Sequence, residues 1–106
     1  MNNVDEAVKQ LIEAILNSET YARFDLQRNR VKQVPGLKEK IDEFRRRNYE
    51  FQNGGDYDFA KLDQFEKEYE DFREDPLVSN FLAADLAFCR LIQEINIKIT
   101  AAINYE

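Results

Sequence analysis

Few residues in this chain have the types and spacing that chemistry needs. Histidine is absent and there is one cysteine, Cys89. A His-dependent catalytic triad, a Glu-x-x-His di-iron bundle and a His-ligated zinc site are therefore excluded. One cysteine supplies neither an intrachain disulfide nor a paired thiolate motif. Glu66, Glu68, Glu70 and Asp71 form the densest carboxylate group. Acid–base or metal chemistry needs such groups to converge in a pocket, but on a helix Glu66 and Glu70 share one face while Glu68 points elsewhere. They read as a solvated surface. Arg45-Arg46-Arg47 is the one basic run. Successive helical residues point about 100° apart, so the three form no flat patch for a phosphate backbone, and Glu39, Asp42, Glu43 and Glu50 are placed to pair with them. Gly54-Gly55 lacks the company of a phosphate-binding loop and reads as a turn. Cys89 reads as a small apolar residue at the margin of a helical core face. These residues point to a non-enzymatic protein with no resident metal or cofactor.

The elements that position these residues are helical. The 106 residues make one domain's worth of chain, residues 1–106, with three Gly and two Pro, too few for a turn-rich β sandwich. Val4, Val8, Leu11, Ile12 and Ile15 lie at helical spacing in a first amphipathic helix over 4–17. Ser18 is placed to cap a second helix over about 19–33, whose inner edge runs through Tyr21, Phe24, Arg28 and Val31. Pro35 is suited to the first position of a third helix running to about Gln52, with Leu37, Ile41, Phe44, Asn48 and Phe51 on one face. Asn53-Gly54-Gly55-Asp56 ends it. A fourth helix over about Asp58–Glu74 has the stripe Phe59, Leu62, Phe65, Tyr69 and Phe72. Asp75 and Pro76 then open a last helix that continues to about Asn104. The fold class is all-α: about five helices in a bundle, with a long C-terminal helix.

That last helix is long for its domain. Some 29 residues span about 43 Å, whereas a compact globule of this size is about 34 Å across. The predicted molecule is elongated and oligomeric. Leu77, Phe81, Ala84, Phe88, Leu91, Ile92, Ile95, Ile99, Ala102 and Ile103 trace the core face of this helix. Leu86 and Ile97 line up three turns apart on the opposite, polar face, near Arg90 and Ala101. Leu86, Arg90, Ile97 and Ala101 are therefore the candidate interface residues, for a second copy or another partner. Tyr49 and Phe51 read as core residues.

Charge is concentrated. Residues 53–76 hold three basic and nine acidic side chains, a net of -6 that equals the charge of the whole chain. Such a segment repels nucleic acid and anionic membranes, and suits a solvated helix or a basic partner. No stretch has the roughly 18 apolar residues of a membrane span, and Met1–Glu6 has neither the basic nor the apolar part of a secretory signal. A free thiol fits a reducing compartment. A soluble, cytoplasmic protein is expected.

The order of these signals resembles the YlbF/YmcA family of small bacterial helical proteins. The matching features are Leu16-Asn17-Ser18-Glu19 followed by Tyr21, then Pro35-Gly36-Leu37-Lys38 leading to Ile41-Asp42-Glu43-Phe44-Arg45, then Asp75-Pro76-Leu77-Val78 leading into Leu91-Ile92-Gln93-Glu94-Ile95-Asn96. The resemblance implies an all-helical homo-oligomer with a regulatory role. Some members act in a complex of paralogues that influences competence, biofilm formation and sporulation, linked to messenger RNA processing by a membrane-anchored endoribonuclease. Paralogous helical proteins and such an endoribonuclease are thus the implied partners. Some members hold an iron–sulfur cluster through several cysteines. With Cys89 alone, that property is not carried over here. Two alternatives stand beside this reading: a small-ligand or metal-binding bundle built around Cys89, and an RNA-binding module built on Arg45, Arg46 and Arg47.

Overall fold

A computed structural model describes residues 2–53 and 59–103. They form five helices: α1 (Asn3–Leu16), α2 (Glu19–Lys32), α3 (Leu37–Asn53), α4 (Phe59–Glu74) and α5 (Pro76–Ile103). The turn expected at Gly54-Gly55 lies outside the described residues, as do Asp58 and Asn104, where helix ends were expected.

The helix starts follow from side chains that satisfy orphan backbone donors. Asn2 Oδ1 accepts from Val4 N at 2.8 Å, and Ser18 Oγ accepts from Tyr21 N at 3.1 Å. Asp75 Oδ1 accepts from Leu77 N at 2.9 Å, with Pro76 as the first residue of α5. Asp75 alone separates α4 from α5. The third start differs from expectation. Pro35 does not open α3. Gly36 adopts a φ of +78°, a left-handed conformation that favours glycine, so the chain turns there and the helix begins at Leu37. Leu37 N donates to Val34 O, and Lys40 N donates to Gly36 O as the first helical bond.

The core is Val31, Ile41, Phe44, Phe65, Tyr69, Phe72, Val78 and Phe81. Rings dominate it. Phe44 lies 5.9 Å from Phe65, 5.2 Å from Tyr69 and 5.7 Å from Phe72, centroid to centroid. A second group joins α2 to α5: Phe24 reaches Phe81 and Phe88, and Tyr21 reaches Phe88 at 5.5 Å. Earlier residues of α2 thus meet later residues of α5, so the two helices run antiparallel.

Helix length decides where this packing ends. At about 1.5 Å per residue, α2 covers about 21 Å and α5 about 42 Å, so α2 can lie along only half of α5. Tyr21, near the start of α2, is level with Phe88 in the middle of α5. Past that level α5 has no buried residue, and α1 has none anywhere. The molecule is accordingly extended. Its radius of gyration is 18.0 Å and its dimensions are 54 × 39 × 20 Å, against about 13 Å for the radius of a compact domain of this length.

Three expectations about single residues are corrected here. The core face of α5 is expected to continue to Ile103, but its cover thins past Phe88, where α2 begins: Leu91, Ile92 and Ile95 are half-buried, and Ile99, Ala102 and Ile103 are exposed. Cys89 is exposed instead of lying at a core margin: it points about 100° around the helix from Phe88, the residue that packs on α2. Tyr49 is 67% exposed, as α3 turns that side away from α4, whereas Phe51 is half-buried against Phe65.

Candidate interaction surface

The sequence-derived interface residues all sit on the outside of α5. Leu86 is 50% exposed and Ile97 66%, and Arg90 and Ala101 are exposed as well. Residues 86, 90, 97 and 101 recur at helical spacing on one face. That face lies about 170° around the helix from Phe88, Ile92, Ile95 and Ile99. The structure therefore brings the four together as one strip, away from the strip that packs on α2.

A second apolar surface goes beyond the sequence reading, which gives α1 an apolar stripe and places the α5 part in a core face. On α1, Val4, Val8, Ile12 and Leu16 are all exposed, Ile12 at 49%. On α5, Ile92 and Ile95 are half-buried, and Ile99 and Ile103 are exposed. The signal that could have located it is the length mismatch between α2 and α5. A periodic stripe says which face is apolar, and only the length of the covering helix says how far it is covered.

The residues considered for chemistry are dispersed. Arg45 lies 2.8 Å from Asp85 Oδ2, Arg46 pairs with Glu50 and Arg47 with Glu68. The basic run thus reaches three separate acids on three helices, α5, α3 and α4. Arg45 Nη2 is out of hydrogen-bonding alignment with Asp85, so that pair is a charge contact; its guanidinium also stacks 5.2 Å from the Phe81 ring. Arg47 donates to Glu68 at 2.9 Å and to the Tyr69 hydroxyl at 3.2 Å, which raise its pKa above the ordinary arginine value. Arg28 is raised too, first by its bond to Asp25 and next by its bond to the Tyr21 hydroxyl. Glu66, Glu68, Glu70 and Asp71 are all exposed, and no group of three or more Cys, Asp and Glu converges on a metal-sized site among the described residues. A cleft of about 170 Å³ between α2, α3 and α5 has Phe24, Val31, Ile41 and Phe81 as its apolar floor. Arg28 and Arg45 line it, each already paired with an acid and stacked on a ring.

What remains as a working surface is apolar, helical and unpartnered. That defines an all-helical protein whose prominent surfaces suit macromolecular contact, in an elongated frame. The chain matches, over residues 4–104, the family described as control of competence regulator ComK, YlbF/YmcA, and it belongs to that family. The family description is of a regulatory role. Neither a curated protein nor a solved structure matches the chain. No helix among the described residues is long and apolar enough to cross a membrane.

Proposed function

We propose that this protein is a non-catalytic regulatory adaptor that works in the cytoplasm through protein–protein contacts. Residues 1–106 act as one domain that associates with copies of itself. The observation that carries this reading is the pair of exposed apolar strips on α5, one through Leu86 and Ile97 and the other through Ile99 and Ile103. Exposed apolar residues aligned on a helix mark a contact surface more often than scattered single ones do. The strip of Leu86, Arg90, Ile97 and Ala101 is the docking face for a regulatory partner. Arg90 within it favours an acidic neighbour.

The family description points the adaptor toward control of competence. By the resemblance, its partners are paralogous helical proteins or an endoribonuclease, with effects on biofilm formation, sporulation or messenger RNA processing. It does not insert into a membrane or bind nucleic acid. The experiment is a tagged pull-down from native cytoplasm, compared with the Ile97→Glu variant. Recovery of paralogous helical proteins or an endoribonuclease, lost in the variant, supports the adaptor reading and its face. Recovery of the protein alone removes the adaptor role, and equal recovery with both forms removes the Leu86–Ala101 face.

A further inference from the structure

Three helices wall the cleft of about 170 Å³ between α2, α3 and α5. Its floor is Phe24 and Val31 from α2, Ile41 from α3 and Phe81 from α5. Val31, Ile41 and Phe81 belong to the core and Phe24 packs against it, so the floor is set by folding itself. On each helix the lining residues recur at spacings of three and four, which turns Arg28 on α2 and Arg45 on α3 toward the same space.

The rim is basic. Arg28, Lys32, Lys38 and Arg45 against Asp42 and Asp85 leave the lining at +2, in a chain of net charge -6. The acid pairs leave donors over. Arg28 gives Nη2 to Asp25 and to the Tyr21 hydroxyl, while its buried Nε has no hydrogen-bond partner. Arg45 meets Asp85 by charge alone, and its buried Nη2 has no hydrogen-bond partner either. A buried donor without an acceptor is costly. Both guanidiniums are also held over rings, 5.3 Å from the Phe24 centroid and 5.2 Å from that of Phe81. Lys32 is exposed at the rim and enters no ion pair among the described residues.

Size and charge select the ligand. A cavity of about 150 Å³ holds a benzene ring, and sites for drug-sized molecules start at about 300 Å³. The cleft therefore takes one ring, and Phe24 and Phe81 give that ring aromatic walls. A guanidinium fork matches a carboxylate or a phosphate. Asp42 and Asp85 in the lining repel a doubly charged head, which favours the single charge of a carboxylate. We infer that this cleft binds a small aromatic carboxylic acid as its anion, the ring on the apolar floor and the carboxylate accepting from Arg28 and Arg45. The site is separate from the Leu86–Ala101 strip, and the inference does not rest on the adaptor reading.

Titration of the isotope-labelled chain, followed by two-dimensional NMR, tests it. Phenylacetate is the probe, with acetate as its head alone and phenylacetamide as its uncharged form. Saturable shifts at Phe24, Val31, Ile41 and Phe81 with millimolar phenylacetate are the expected result, with acetate and phenylacetamide binding at least about tenfold more weakly. Arg45→Gln is expected to weaken phenylacetate about tenfold or more, as loss of a charged hydrogen bond does. Arg46→Gln, which pairs outside the cleft with Glu50, is expected to bind as the unaltered chain does. Should Arg45→Gln disturb the fold, Lys32→Gln at the exposed rim is expected to give a smaller loss, about threefold. No saturable shift, shifts centred outside the cleft, or equal binding of phenylacetamide overturns the inference. So does a folded Arg45→Gln chain that binds phenylacetate undiminished.

Discussion

The two ends of this molecule are built from different side chains and reach different degrees of completion. One end, where α3 and α4 meet the first half of α5, is packed with rings: Phe44, Phe65, Tyr69 and Phe72 lie within 6 Å of one another along the chain of contacts, and Val78 and Ile41 are fully buried beside them. The other end, α1 with the second half of α5, is aliphatic and buries no residue fully; Leu11, Ile15, Leu91, Ile92 and Ile95 are half-buried there. A ring carries enough area to close a small core from few positions. Branched aliphatic side chains are smaller, and they close a core only when several helices interlock over a length. The first end is closed within one chain, while the second leaves much of its apolar surface exposed.

The largest test of that contrast is a pair of truncations. Phe44→Ala opens a cavity among three rings and should cost about 3–5 kcal/mol. Ile12→Ala, measured at a dilution where chains are separate, should change stability by less than about 1 kcal/mol, as surface substitutions usually do. Urea denaturation of both variants checks this. Equal losses would mean that α1 is part of the single-chain core after all.

Concentration sharpens the same contrast. If the aliphatic end is covered by a second copy, each tenfold dilution should lower the apparent stability of the assembly by about 1.4 kcal/mol. The melting temperature should fall in step. A melting temperature that stays constant from high to low concentration would show that the aliphatic end contributes nothing through association.

The caps at the two joints give smaller and more local effects. Ser18 bridges α1 and α2, accepting from Tyr21 N and donating to Ile15 O at 2.6 Å. Asp75 caps α5 within the packed end. Replacing either with Ala should cost about 1 kcal/mol. The two should differ in reach. Asp75→Ala should weaken protection from amide exchange throughout the ring-packed end, since α4 and α5 share that core. Ser18→Ala should speed exchange mainly in α1 and the first turn of α2, which the core does not hold. Uniform acceleration from both variants would remove the distinction between the ends.

The fold was legible in the sequence because its signals are local. Ser18, Asp75 and Pro76 sit where helices begin, and apolar residues recur with helical period in all five elements. Gly36 shows where local reading failed: its left-handed φ moved a helix start by two residues, and Pro35 alone looked like the start. The exposed apolar surface was only partly legible. Leu86 and Ile97 stood out because they interrupt a polar face. Val8, Ile12 and Ile99 did not, because an apolar stripe left exposed has the same periodicity as one covered by its own chain. Coverage depends on a length relation between α2 and α5, which are far apart in sequence.

The smallest expected effects separate two arginines of one run. Arg46 pairs with Glu50 one turn away, and both side chains are 60% exposed. Arg46→Ala should cost at most about 0.5 kcal/mol, as exposed pairs of this spacing do. Salt should erase the difference. Arg47 is 28% exposed, pairs with Glu68 across to α4, and stacks 5.1 Å from Phe65 and 5.3 Å from Tyr69. Its loss removes packing on the rings as well as charge, so Arg47→Ala should cost more than Arg46→Ala and keep most of that cost in concentrated salt. Salt is the right lever, and pH is not. A base whose pKa is raised on folding contributes its full stabilisation below the unfolded value and loses it only as pH rises through the folded one. For Arg47 both lie far above neutrality. At 1 M salt the screening length falls to about 3 Å, so denaturation of both variants in low and high salt divides charge from packing. If Arg47→Ala becomes as mild as Arg46→Ala in high salt, the rings of the packed end hold their charged neighbour by charge alone.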